Sequence, residues 1–271
     1  MVIPKPLCRC RICTEARKEG IPYARSGPSA FLHDSNLLID TPADIISQLN
    51  RSNIQRIDFL TFTHLDPDHT EGFRVVEQIA LDFRTWRTYP QKQICLLLPQ
   101  ELSDRLWDIR SQYGPVLDFY LERGFVRVET FGNDTRIKDV EITAIPVDRG
   151  VQVSYVYIFE KLEKKVIYAP CDIKPFPEDH EKVRNSDMLI IQPGIFETGL
   201  KHGFRYPADH SSRKTLYTYE QTLELAERIN AKKTLFVHLE EYWNRSYDDY
   251  CALESIDDRI RFAYDGMQVK V

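Results

Sequence analysis

Short apolar runs, each closed by turn-forming residues, alternate with helix-like stripes along most of the chain. Between Ala30 and Asp40 two apolar runs flank a polar turn, which predicts a pair of strands, and Asp44–Asn50 predicts a helix. The run from Ile57 to Thr63 is β-branched and aromatic and ends on a polar cluster, the pattern of a buried strand that delivers a loop to a sheet edge. Glu71–Asp82 carries Phe73, Val76, Ile79 and Ala80 near helical spacing, so one helix is expected there. Gln93–Leu98 predicts a strand, Pro99–Arg110 a helix opened by its proline, and Phe125–Phe131 another strand. Val140–Pro146, Val153–Glu160, Lys165–Tyr168 and Met188–Gln192 read as successive strands of one sheet. Thr215–Ile229 is the clearest helix, Thr234–His238 a strand ending on a histidine, and Arg259–Val271 a strand pair about a turn at Asp265–Gly266. No fixed-period repeat and no Gly/Ser linker interrupts this pattern, so a single α/β domain over 1–271 is expected.

Composition narrows the function classes. The 271 residues carry 36 Lys+Arg against 41 Asp+Glu, a net charge of −5, which provides no global positive field to gather nucleic acid. No apolar run approaches the ~20 residues of a membrane-spanning helix, and the N-terminus lacks the apolar core of a signal peptide, so a cytoplasmic location is expected. Three of the six cysteines, Cys8, Cys10 and Cys13, crowd into one short segment, a spacing that suits the grip of one metal ion better than disulfides to distant partners.

The densest chemistry lies just after the predicted strand Ile57–Thr63. His64, Asp66, Asp68 and His69 offer two imidazoles and two carboxylates from one loop, and both group types coordinate divalent ions. A solvated acidic turn with incidental histidines is the alternative for that loop taken alone. Asp172 and His238 add ligand-type residues at the ends of two further predicted strands, where α/β folds place their chemistry.

His64-x-Asp66-x-Asp68-His69 followed by Asp172 and His238 resembles the metallo-β-lactamase superfamily, whose usual first motif is H-x-H-x-D-H. Within it the chain is similar to the subgroup of the cyclic phosphate phosphodiesterase of the carbon-phosphorus lyase pathway and the pyrroloquinoline quinone biosynthesis B-type proteins. Cys8-x-Cys10-x-x-Cys13-x-x-Ala16-Arg17 resembles that subgroup's zinc knuckle, at about residues 8–17. Leu38-Ile39-Asp40 resembles its third strand, and the stretch from Tyr264 to Met267 its C-terminal strand pair. Relatives of the subgroup complete a first strand and a Gly-rich turn before the point where this chain begins, so the resemblance implies either a sheet one strand shorter or a start upstream of Met1.

The resemblance implies a four-layer αββα sandwich and a centre for one or two divalent ions, Zn, Mn or Fe. One ion would take Asp68, His69, Asp172 and His238; the other would take His64 and the shared Asp172, helped by Asp66 and Asp148. Asp66 stands where the family has histidine, and the histidine expected near Pro146 is absent. A carboxylate-rich first position favours harder ions than zinc. The knuckle's fourth ligand, a histidine in relatives, falls on Glu241 here, with Cys251 as the substitute.

The implied activity is metal-dependent hydrolysis of a small-molecule phosphodiester, such as a cyclic phosphate, by a metal-bound hydroxide. In it Asp68 orients or accepts from the nucleophile and His210 serves the leaving oxygen. Asp66 and the absent histidine motivate, as alternatives, an iron-dependent oxygenase or oxidase on the same fold, or a noncatalytic member with a degraded first site. The expected partner is a phosphorylated small molecule rather than nucleic acid or a membrane, with a homodimer left open.

Overall fold

A computed structural model describes residues 2–132, 135–150 and 152–271; the side chain of Asp148, one of the expected ligands, lies outside the described residues. The chain divides into two compact units, one of Pro28–Ala144 and one of Met1–Gly27 with Ile145–Val271.

In the unit Pro28–Ala144 a five-stranded sheet runs in the order Ala30–Leu32, Leu37–Ile39, Phe59–Thr61, Ile94–Leu98 and Val126–Thr130. The first pair is antiparallel across its tight polar turn, and the other pairings are parallel. Parallel strands need crossover connections, and the helices Ile45–Arg51, Gln100–Leu106 and Val116–Arg123 lie in those connections. Leu37, Leu38, Leu60, Leu96 and Leu98 are fully buried, and Phe62, Phe73 and Tyr120 stack edge to face beside them.

The helices of this unit differ from expectation, and Pro99–Arg110 is helical only over Gln100–Leu106. Glu71–Asp82 is not one helix: Pro67–Thr70 forms a turn of helix inside the metal-type loop, Val75–Ala80 a second, and Leu81–Asp82 pairs as a short strand with Arg87–Thr88. Pro67 supplies the first helical position and starts the helix early. The helix Val116–Arg123 was not expected, although Pro115 before it and the left-handed Gly124 after it are its sequence signals.

The other unit carries the larger part of a seven-stranded sheet, which begins with Arg136–Ile137 and Val140–Arg149, the strand at whose middle the unit boundary falls. From there the order is Gln152–Lys161, Lys164–Ala169, Met188–Ile191, Thr234–Phe236 and Ile260–Phe262, the last four mutually parallel. Its core joins Ile158, Ile167, Leu189, Leu225, Phe236, Trp243 and Tyr250.

The expected helix Thr215–Ile229 is broken into Ser212–Thr215 and Tyr219–Arg228, because Thr218 caps the second piece reciprocally with Gln221. Met188–Gln192 and Thr234–His238 form strands that stop at Ile191 and Phe236, short of the residues that carry chemistry. The C-terminal pair also differs: Ile260–Phe262 is a strand, but residues 267–271 are not. The Asp265 carboxylate instead accepts from the Ser26 backbone N–H and the Ala263 carbonyl from Arg25, so this stretch is tied to the N-terminal segment.

Asp187 fastens three of these elements. Its carboxylate accepts from Lys232 Nζ at 2.9 Å and the Lys165 backbone N–H at 3.0 Å, with Lys164 nearby, and these hold its pKa down from the usual 3.8 to about 2. A folded pKa below the unfolded value means a contribution present in full above about pH 3.8 and lost as pH falls toward 2. Asp187→Asn should therefore lower the Tm at neutral pH and flatten the acid limb of a Tm-versus-pH curve in that window. An unchanged limb would remove Asp187 as a source of acid sensitivity.

Candidate metal centre

In the unit Pro28–Ala144 the candidate ligands follow the carboxyl ends of adjacent parallel strands. Asp40 leaves the strand Leu37–Ile39 with a left-handed φ of 62°, while Thr63 and His64 leave Phe59–Thr61. Asp40 is fully buried. Its carboxylate accepts from the Thr63 N–H and the Thr63 hydroxyl, both at 2.8 Å, and lies 2.9 Å from His69 Nδ1. Nδ1 of His69 accordingly holds the ring proton and donates it to Asp40, which puts the lone pair on Nε2, the usual arrangement of a metal-binding histidine. Thr63 Oγ1 stands 3.0 Å from His64 Nδ1 and orients that ring in the same way.

The two rings lie 4.0 Å apart between centroids. His64 Nε2 is 3.7 Å from an Asp66 oxygen and His69 Nε2 is 4.0 Å from an Asp68 oxygen. These gaps exceed a hydrogen bond and approach the roughly 3.4 Å between two tetrahedral ligands each about 2.1 Å from one ion. The loop is clasped in place: Thr41 N–H donates to the His69 carbonyl at 2.7 Å, and Gly72 N–H to the Thr41 carbonyl at 2.8 Å.

In the other unit, Asp172 and His238 follow the parallel strands Lys164–Ala169 and Thr234–Phe236, with φ of 55° and 54°. Left-handed backbone at non-glycine residues is strained, and strain of this kind concentrates at functional sites. His238 Nδ1 lies 3.0 Å from the buried Glu240 carboxylate, so this imidazole too has its proton anchored and its lone pair on Nε2. Burial pushes the Glu240 carboxyl up, but the hydrogen bond and charge of His238 hold it below the ordinary carboxylate range. Gln192, from the end of the strand between those two, approaches the same ring at 3.3 Å and with Asp172 lines a small cavity.

Asp172 also bears an ion pair that the sequence did not suggest: Arg149 Nη1 sits 2.6 Å from its Oδ2, with the Arg149 side chain only 8% exposed. His210 accepts the Ser212 N–H on Nδ1 at 3.2 Å, which fixes Nε2 as its donor, against the edges of Tyr206 and Phe204. Arg213 holds this loop by pairing with both Glu197 oxygens and donating to the Tyr206 and Pro207 carbonyls.

Cys8, Cys10, Cys13 and Glu241 come together, with one ligand atom of each within 4.8 Å of the others. Glu241 Oε1 lies 3.0 Å from Cys10 Sγ, 3.4 Å from Cys8 Sγ and 3.6 Å from Cys13 Sγ. Cys251, the alternative fourth ligand, is instead on the helix Tyr247–Glu254. Cys10 caps the helix Arg11–Glu19, and Arg17 on that helix donates to the carbonyls of Lys5, Cys8 and Cys13, so the loop is shaped by the chain itself. Lys201 contacts Glu241 Oε1 and lies 3.1 Å from Cys8 Sγ. Burial raises the Glu241 carboxyl, yet Lys201, Cys10 and Cys8 together hold it at about 2. Burial pushes the Cys13 thiol up to about 12 and Cys10 upward, whereas the Cys10 backbone and Lys201 lower Cys8. Three sulfurs and a carboxylate suit zinc, and its capture would release thiol protons.

His64, Asp66, Asp68, His69, Asp148, Asp172, His238, His210 and the knuckle set stand out in the sequence. Thr63, Glu240, Gln192, Arg149 and Lys201 have no place in that motif pattern, and Asp40 enters it only through the third-strand signature. Glu240, two residues past a candidate ligand, carried a readable signal; the others depend on tertiary placement.

The profile of the beta-lactamase superfamily domain matches residues 35–239. The crystal structure of a diphosphatase from the PhnP family is similar to this chain with a TM-score of 0.72 at 21% identity, over 100% of this chain and 93% of that one. Zn(2+)-bound PqqB from Methylobacterium extorquens gives a TM-score of 0.70 at 16% identity, over 100% of this chain and 96% of that one. Ribonuclease Z 1 of Schizosaccharomyces pombe (strain 972 / ATCC 24843) is 20% identical over an alignment of 257 residues that covers 87% of this chain and 30% of that protein.

The clasp around His69 leaves no room at Gly72: a Cβ there would stand 2.1 Å from the Pro42 carbonyl oxygen and 2.6 Å from Ile45 Cγ2. Gly72→Ala should cost roughly 1–3 kcal/mol of stability, the range for overpacking, and displace the His69 backbone. Thermal denaturation checks the first part and the His69 imidazole NMR signals the second. A variant with wild-type Tm and unmoved signals would show that the clasp is loose.

Proposed function

The chain belongs to the metallo-β-lactamase superfamily, and from that premise we propose that it is a metal-dependent hydrolase of a phosphodiester in a small molecule. The observation that carries this reading is the matched pair of carboxylate-anchored imidazoles, His69 on Asp40 and His238 on Glu240, each with Nε2 as the coordinating atom. The names of two relatives, a diphosphatase and a ribonuclease, both denote cleavage at phosphorus.

In this reading Asp68, His69, Asp172 and His238 hold an ion that supplies Lewis acidity and lowers the pKa of water. Asp40 and Glu240 accept the Nδ1 protons and so keep the two imidazoles correctly turned, with Nε2 free for the ion. Asp68, about half exposed on its loop, accepts the proton of the attacking water, and His210 donates its Nε2 proton to the leaving oxygen. Cys8, Cys10, Cys13 and Glu241 hold a structural zinc that ties the N-terminal helix to the segment after His238. Thiolate ligands of this kind suit a reducing compartment, and we place the protein in the cytoplasm. No helix among the described residues is long and apolar enough to cross a membrane.

Asp66, a carboxylate at a position where the family has histidine, and the absent histidine near Pro146 favour the iron-dependent oxygenase instead. Protein purified without added metal, then assayed on bis(p-nitrophenyl) phosphate and for O₂ uptake with a reductant, separates the two. Diester hydrolysis without O₂ uptake is expected, and the reverse would overturn the hydrolase reading.

Two variants locate the chemistry. His210→Gln should lower kcat by about 10²–10⁴-fold, the usual share of general acid–base catalysis, while KM changes little; a wild-type kcat would free His210 of its role. Asp40→Ala should weaken binding of the catalytic ion by about 10–100-fold in chelator competition.

Cys10→Ser should lose the knuckle zinc and several degrees of Tm yet keep the ion held by His69 and His238. A variant that keeps full zinc content would remove the knuckle assignment.

A further inference from the structure

The family pattern shares Asp172 between two ions, but in this chain one oxygen of Asp172 is already engaged. Arg149 closes the strand Val140–Arg149 just before the left-handed Gly150. Its Nη1 lies 2.6 Å from Asp172 Oδ2, and the side chain is 92% buried, being 8% exposed. A guanidinium stays charged at any working pH and its planar fork does not swing aside as an ammonium does. An ion bound to that same oxygen through a bond of about 2 Å would face a fixed positive charge a few ångströms away in a poorly screened interior. The donor set for the first ion is poor in other respects too: the sequence offers one neutral imidazole, His64, and puts Asp66 where a histidine belongs.

A second observation concerns the other side of the same guanidinium. Arg149 Nε is buried and, among the described residues, has no hydrogen-bond partner. A buried charged donor without an acceptor is costly, by more than the ~1–3 kcal/mol of a neutral one, and it persists where a ligand completes it. The acceptor that fits a buried, permanently cationic N–H is an anionic oxygen.

We propose that Arg149 takes the place of one of the family's two ions: the centre holds a single divalent ion, and the guanidinium, fixed by Asp172 Oδ2, binds a phosphoryl oxygen of the substrate through Nε. Arg149 thereby supplies the positive charge on the phosphoryl group that the missing ion would have supplied. Asp172 keeps Oδ1 for the ion that remains. The ion count stands on the Arg149–Asp172 pair alone; the phosphoryl part rests on the hydrolase reading above.

The test counts metal and measures anion binding separately. Wild-type protein is loaded with Co²⁺, dialysed and analysed for total cobalt and zinc, and the thiolate-to-cobalt charge-transfer band is used to subtract any cobalt in the knuckle. One ion per chain outside the knuckle is expected, and two would overturn the proposal. Calorimetry with inorganic phosphate then compares wild type, Arg149→Lys and Arg149→Met. Phosphate affinity should fall at least ten-fold in Arg149→Met and be partly kept in Arg149→Lys, while the Met variant, with Asp172 released, gains a second ion outside the knuckle.

Equal phosphate affinity in wild type and the Met variant would overturn the binding role. Should the Met variant fail to fold, the wild-type ion count and the Lys variant still decide the matter, since a Lys variant that binds two ions contradicts exclusion by charge. Loss of diester hydrolysis with the ion count and phosphate binding intact would count against the substrate reading alone.

Discussion

The buried carboxylate of Asp40 is the interaction on which the His64–His69 loop depends. A carboxyl group with no solvent exposure is sustainable only if its oxygens are met by hydrogen-bond partners, and Asp40 is met by three: Thr63 N–H, Thr63 Oγ1–H and His69 Nδ1–H. Two of these fix the backbone and side chain where the strand Phe59–Thr61 ends, and the third fixes a ring six residues further on. One group thus sets the loop's departure, its return and the tautomer of a ligand-type histidine. The same solution recurs in the other unit, where Glu240 anchors His238. Independent use of the device in two units argues for imidazoles built to coordinate rather than to fill a core.

Parallel strands explain why these groups fall where they do. Carboxyl ends of adjacent parallel strands lie on one edge, and loops leaving that edge are short and held by the ladder behind them. Asp40 and Thr63 share such an edge in one unit; Asp172, Gln192 and His238 share one in the other. The left-handed backbone at Asp40, Asp172 and His238 turns each side chain sharply off its strand. Each such turn is a strain that the surrounding hydrogen bonds must offset. Unpaired, these residues would relax into extended continuations of their strands.

What was legible in the sequence follows from how local each signal is. The hairpin at Ala30–Ile39 and the buried runs at Ile94–Leu98 and Gln152–Lys161 were legible because their apolar pattern is contiguous. So was the ligand loop, because its chemistry sits within six residues. Helix limits failed where a cap or proline overrode periodicity, at Thr218 and Pro67. The C-terminal strand pair failed because Asp265 finds its donor at Ser26, more than two hundred residues away in sequence. Glu241 could be named as a knuckle ligand by its distance from His238, but nothing local marks Lys201 or Arg149, whose partners are 40 and 23 residues away.

Those two cations make an instructive pair. Lys201 lies against Glu241 in the knuckle, and Arg149 against Asp172. With zinc bound, three thiolates and a carboxylate would carry four negative charges, and the divalent ion would leave an excess that an ammonium offsets. Lys201 is partly exposed on a flexible stem, contacts Cys8 as well as Glu241, and can shift without leaving the cluster. At Asp172 a single carboxylate faces a rigid, buried guanidinium that engages Oδ2, which leaves only Oδ1 for an ion. Similar geometry would therefore have opposite consequences: beside the cysteines the cation would assist zinc binding, and beside Asp172 it would, on the proposal above, replace an ion.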